Sequence, residues 1–131
     1  MDMSSYLAKA LLNQVFRNTT YTRPSKVFIA LYISNPTASD TGQEVTGGDY
    51  IRQEASFSAP VAASGAQVIK NSGEVAFPVA SADWGLVTHI GIRDAATDGN
   101  LLYFGSLANP RTILTGDILK FAPNKLELTL S

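Results

Sequence analysis

The hydrophobic period changes at Pro24, and that change constrains the fold more than any other feature of the chain. Beyond it, short β-branched and aromatic runs repeat with a period of two, divided by Gly, Pro, Asn and Asp. A period of two places alternate side chains on one face of a strand, and the dividing residues mark turns. The runs are 26–33, 50–57, 66–70, 74–77, 86–93, 101–107, 118–121 and 125–130. About eight short strands at this spacing predict an all-β domain, a jelly-roll-like β-sandwich covering 24–131. Residues 26–33 are nearly all apolar, as in a strand covered on both faces. Alternation in 86–93 puts Leu86, Thr88, Ile90 and Ile92 on the core side and Val87, His89, Gly91 and Arg93 on the other. Residues 94–100 contain Asp98-Gly99-Asn100 and read as a tight hairpin joining 86–93 to 101–107. The longest loop expected is 36–49, polar and Gly-rich.

Ahead of Pro24 the spacing is helical. Leu7, Leu11, Leu12, Val15 and Phe16 form an apolar stripe over 4–17, within an N-terminal segment 1–20. Ser4 or Ser5 can cap its start, Arg17 suits the negative pole of the helix dipole, and Asn18-Thr19-Thr20 ends it. One helix cannot bury its own stripe, so the stripe either covers an open end of the β domain or meets a neighbouring subunit. The first is favoured, because a helix leading into a strand commonly lies beside it.

At 131 residues, 45% hydrophobic and 16% charged, the chain fits a single domain, 1–131. Ten Lys and Arg against eleven Asp and Glu leave a net charge of -1, with no basic block, so nucleic acid is not an expected partner. No stretch approaches the roughly 18 to 20 apolar residues that cross a bilayer, and Asp2 and Lys9 argue against an export signal, so no membrane role is expected. Without cysteine there are no disulfides, thiolate metal sites or thiol nucleophiles.

The residues that chemistry needs are few. His89 is the one histidine, which excludes a site built on two imidazoles. A triad from His89, Asp83 and a serine lacks a Gly-x-Ser-x-Gly elbow. Glu44, Asp49, Glu54, Glu74 and Asp83 offer members for a glycosidase pair, but nothing selects two of them. Asp94 and Asp98 lack calcium-loop spacing and read as hairpin caps, and Gly47-Gly48 are turn residues. Trp84 beside Asp83 suits a sugar platform, although a core plug at one end of a sandwich is the plainer reading. Tyr32, Tyr50 and Tyr103 are likewise explained by strand packing. No catalytic residue, metal or cofactor is expected, and no partner-binding residue can be named.

Four segments carry a resemblance: Ala30-Leu31-Tyr32-Ile33-Ser34-Asn35-Pro36-Thr37; Thr46-Gly47-Gly48-Asp49-Tyr50-Ile51-Arg52; Trp84 through Ala95; and Gly99-Asn100-Leu101-Leu102-Tyr103. With them the chain resembles a family of small virion proteins of tailed bacteriophages, often labelled tail-fibre proteins, alongside capsid cement or decoration proteins of similar size. The resemblance implies a virion structural protein and no enzyme. Its leading implication is a cement protein on the outer capsid surface, made in the host cytoplasm and binding the major capsid protein lattice and its own copies as a homo-oligomer. The alternative is a tail-fibre or baseplate component that binds host surface glycans through Trp84, the tyrosines and the 36–49 loop.

Overall fold

Ser4 is almost wholly buried, and its hydroxyl accepts the Leu7 N–H at 3.1 Å, so helix α1 (Ser5–Phe16) begins where the capping chemistry predicts. At the other end Asn18 turns into the left-handed region at φ 54°, and the Asn13 carbonyl accepts from both Arg17 N and Thr19 N. The computed structural model describes residues 1–130. Around α1 lie ten strands: β1 (Asp2–Met3), β2 (Val27–Tyr32), β3 (Gln53–Ala55), β4 (Val61–Ala63), β5 (Ala66–Lys70), β6 (Val75–Ala76), β7 (Gly85–Arg93), β8 (Leu101–Ile113), β9 (Lys120–Phe121) and β10 (Glu127–Leu130).

They form a sandwich. One layer is a five-stranded antiparallel sheet in the order β1-β8-β7-β2-β3; the other combines the three-stranded β10-β5-β4 and the pair β6-β9. Ile29, Leu31, Ile90 and Ile92 of the large sheet meet Val75, Phe77, Leu119, Leu126 and Leu128 across the core. Burial of such side chains, at about 25 cal/mol per Å² of apolar surface, is the main force holding the layers together. β2 behaves as its composition predicts, with Ile29 through Tyr32 buried on both faces.

The two small sheets are tied together by Asn71, which is fully buried. Its amide donates to the Gly73 and Ala122 carbonyls at 2.8 and 2.9 Å, and its Oδ1 accepts the Leu126 N–H at 2.8 Å. Replacing water on both ends of a polar side chain in this way is what makes its burial tolerable.

Several expectations change. The strand expected over 50–57 shrinks to β3, because Tyr50 turns inward to hydrogen-bond and leaves the ladder. The runs 74–77, 118–121 and 125–130 likewise keep only β6, β9 and β10. β1 and β4 carry no period: one has two residues, and the other is an exposed Val-Ala-Ala edge. β8 continues well past residue 107, but its register jumps from Ser106 opposite His89 to Arg111 opposite Val87. Residues 107–110 therefore bulge out of the ladder, which suits Pro110 because it has no N–H to donate.

That irregularity inverts the alternation in β7. Val87 is fully buried and Leu86 is half exposed, the reverse of the expected faces, while Ile90 and Ile92 are core as expected. Thr88 Oγ1 and His89 Nδ1 lie 2.7 Å apart, a contact between sequence neighbours that a regular strand does not allow. Gly91 and Arg93 are also buried, so this end of β7 has no solvent face.

The helix stripe is divided. No α1 residue is buried; Leu7 and Leu11 turn toward an apolar groove shared with Tyr103 and Leu128, whereas Leu12, Val15 and Phe16 are exposed. The helix packs on β8, whose edge β1 extends, and not on β2, which follows it in sequence. The expected adjacency fails because β1 hydrogen-bonds to β8 and fixes where α1 starts.

Candidate functional site

Polar side chains gather at the end of the large sheet where the 36–49 loop meets the 94–100 hairpin. The loop is pinned to its own strand: Ile33 N and Gln43 O pair at 2.9 Å, as do Val45 N and Leu31 O at 3.0 Å. This return carries Asp40 and Glu44 over the ends of β2 and β7.

Arg93 lies under the loop, and all five of its N–H groups are engaged. It donates to Asp40 Oδ1 and Oδ2 at 2.8 and 2.9 Å, to the Tyr32 hydroxyl at 2.9 Å, and to the Asp98 and Gly99 carbonyls at 3.2 and 2.9 Å. Burial opposes its charge, but the hydrogen bonds with Asp40 and Tyr32 outweigh that and hold the guanidinium more firmly protonated than usual. Arg52 repeats the arrangement nearby. Its Nε and one terminal nitrogen grip Glu44 at 2.8 and 2.7 Å, and the other terminal nitrogen donates to the Ala95 and Asp98 carbonyls, both at 2.8 Å. A planar fork satisfies such paired acceptors where an ammonium cannot.

The tyrosines complete the network. Tyr50 donates its hydroxyl to Glu44 Oε2 at 2.6 Å and accepts the Leu31 N–H at 3.0 Å. Burial, reinforced by the Glu44 carboxylate, pushes this phenol far above its ordinary range. Tyr32 is raised as well, again chiefly by burial, against the opposing pull of Arg93. Glu44, Tyr50, Ile51, Arg52, Thr97 and Asp98 line a cleft of about 290 Å³ beside this network. Its charged groups are already spent on one another, so the arrangement locks two loops together and offers no free acid, base or nucleophile.

The residues singled out in the sequence do not converge. Asp83 Oδ1 accepts from Thr115 N and Oγ1 at 2.8 and 3.1 Å, and His89 pairs with Thr88, so the triad is not assembled. Glu44 serves Arg52, Glu54 pairs with Lys26 at 3.3 Å, and Asp49 and Glu74 are exposed. Asp94 spends both oxygens on Asn100, at 2.7 and 3.1 Å, and Asp98 and Gly99 take the positive φ of the hairpin turn. Among the described residues no three His, Cys, Asp or Glu side chains gather where a metal ion could be held.

Trp84 is 5% exposed, donates Nε1–H to the Gly48 carbonyl at 2.9 Å, and meets Tyr50 edge to face at a centroid distance of 5.5 Å. It is the core plug. Tyr32 and Tyr103 are buried and Tyr50 is engaged from both sides, so none of the aromatic residues assigned to glycan stacking presents a free face there. Asp40 and the structural role of Arg52 had no signal in the sequence, because their partners lie 53, 43 and 46 residues away as well as nearby.

A sequence-family profile described as podophage GP4 fiber I protein gp80 matches residues 2–129. The curated proteins contain no match to the chain.

Proposed function

Because the chain belongs to the podophage GP4 fiber I protein family, a family of phage virion proteins, we propose that it is a structural subunit of the tail fibre with no catalytic role. The observation that carries this reading is a contrast between interior and surface. Every buried polar side chain among the described residues has a hydrogen-bond partner, so the inside is fully committed to holding loops in place. Outside, Leu12, Val15 and Phe16 form a contiguous apolar edge along α1, exposed by 59%, 65% and 78%. Apolar surface presented on a rigid element is a contact surface for other subunits. In this reading the subunit attaches through α1 to neighbouring virion proteins, its own copies among them, and the two arginine networks keep the 36–49 loop and the 94–100 hairpin in one shape.

The family description favours a fibre over the capsid cement role that the sequence resemblance put first. Copy number separates the two. Quantitative densitometry of purified virions against the major capsid protein should give a small ratio, with labelled antibodies bound at the tail. A ratio near one, or a simple lattice fraction with label over the head, would replace the fibre by cement.

A further inference from the structure

The N-terminal segment covers only part of the seam where the two layers of the sandwich meet. β8 and β10 face each other across that seam, the Tyr103 hydroxyl donating to the Thr129 carbonyl at 3.5 Å. β10 is the end strand of its sheet, and β1 pairs with β8 only opposite Tyr103 and Phe104. There the gap is filled, with Met3, Leu7 and Leu11 lining one groove with Tyr103 and Leu128. Met1 lies over Gly105, and beyond it the outer edge of β8 is bare. Residues 107–110, which bulge away from β7, have a strand partner on neither side among the described residues. Beside them a cavity of about 420 Å³ opens between the layers, lined by Ile90, Leu107, Leu119, Phe121 and Leu126. Arg111 and Lys125 complete its wall; both are exposed, and among the described residues neither has an ion pair. The carboxylate in the wall, Glu127, is already paired with Lys70 at 3.8 Å.

We propose that this open length of the seam is a strand-acceptor site for an acidic, extended peptide segment of a partner protein. An unpaired sheet edge supplies main-chain donors and acceptors that an added strand satisfies. Alternation turns every second side chain of that strand to one side. One apolar side chain then enters the cavity while the residues two before and two after it reach the rim. The two unpaired cations there select carboxylates at those positions, so the recognised pattern is acid-x-apolar-x-acid. β1 already uses the same edge: Asp2 and Met3 add to it antiparallel, and the partner segment continues their line. Four residues of unpaired main chain distinguish the site from a pocket for a small apolar anion, which would leave them without partners. The site shares no residue with the exposed edge of α1, so one subunit can engage a neighbour through each.

The inference stands apart from the fibre reading: location in the virion tests that reading, and strand binding in solution tests this one. The experiment is an amide NMR titration of the full chain with the capped peptide Ac-Glu-Thr-Leu-Thr-Glu-amide, up to roughly 10 mM, where a Kd of about 1 mM nears saturation. Saturable shifts centred on residues 105–112 and 125–127 are expected, with slower hydrogen exchange at one or more of the Leu107, Ala108 and Asn109 amides. Replacing both glutamates of the peptide by lysine should abolish binding, and replacing its leucine by glutamine should weaken binding about tenfold or more. Arg111→Gln and Lys125→Gln, both at exposed positions, should each weaken it about threefold while the remaining spectrum stays native. No saturable shift, shifts centred elsewhere, or equal binding of the lysine peptide overturns the site. Binding without slower exchange at 107–109 overturns strand addition, and unaltered affinity when Arg111→Gln and Lys125→Gln are combined overturns the acidic specificity. A head location in virions would remove the fibre reading and leave these outcomes standing.

Discussion

Asp40 holds Arg93 through both carboxylate oxygens, at 2.8 and 2.9 Å, across a sequence separation of 53 residues. The arginine is almost wholly buried while the aspartate is partly open to solvent, so the pair closes the end of the sheet from the loop side. Removing the fork while keeping the charge isolates what its geometry contributes. Arg93→Lys leaves three donors for five acceptors and should cost about 1–3 kcal/mol, read as a lower urea midpoint at unchanged slope. An unchanged midpoint would mean that the loops are held without it.

Asn71→Ala strips three hydrogen bonds from a fully buried position and strands the Leu126 N–H. A loss of about 3 kcal/mol is expected, and chemical denaturation measures it. Amide exchange should accelerate first in β5 and β10, which Asn71 joins through its backbone and side chain.

Trp84→Ala should unfold or severely destabilise the protein, by about 3–5 kcal/mol, as expected for an emptied aromatic core site. Trp84→Phe retains most of the packing and should cost about 1–2 kcal/mol. Gly48→Ala is a separate probe of the same contact: φ is +57° there, and a Cβ would sit 2.7 Å from Trp84 Nε1 and 2.8 Å from the Ala82 carbonyl oxygen. It should lower stability by about 2 kcal/mol. A stable, folded Trp84→Ala protein would contradict the placement of the indole.

Alkaline pH should unfold the chain. Tyr32, Tyr50 and Tyr103 are each raised above the ordinary value of 10.0, burial being the first cause in all three. Above that value the unfolded chain gives up phenolic protons that the folded one keeps, so it binds fewer protons and stability falls as pH rises. Below pH 10.0 both states are protonated and this contribution is fully present. Phenolate absorbance should therefore rise together with loss of the folded circular dichroism signal; ionisation of these tyrosines without unfolding would be the contrary result.

Changing Leu12, Val15 and Phe16 together to Gln should leave stability within about 0.5 kcal/mol, since all three are exposed and Gln is a good helix former. Copies per virion should fall. Undiminished incorporation would show that α1 is not the attachment surface.

The parts of this protein that were legible in the sequence share one property, which is that their causes act within a few residues. Ser4 caps α1 because its hydroxyl reaches an N–H three positions on. Asp98 and Gly99 turn the hairpin because their own φ angles allow it. Runs of β-branched and aromatic residues bounded by turn residues mark β2, β7 and the start of β8, and the lack of polar alternation in β2 marks its double burial. Trp84 as core plug followed from size and position. All of this is local stereochemistry and side-chain period, which a chain carries before it folds.

Only the tertiary structure decided the rest. Leu86 and Val87 exchange faces because β8 bulges opposite them, and nothing in 86–93 records the register of a neighbouring strand. The stripe of α1 divides because β1 anchors the helix to β8, leaving Leu12, Val15 and Phe16 with no surface of their own chain to cover. Arg52 and Arg93 look like ordinary surface cations until folding brings Ala95, Asp98, Asp40 and Tyr32 to them from 43 to 61 residues away. Pairing over such separations depends on strand register and loop closure, which are properties of the whole fold. The buried arginine networks therefore become legible only once the chain has placed every partner.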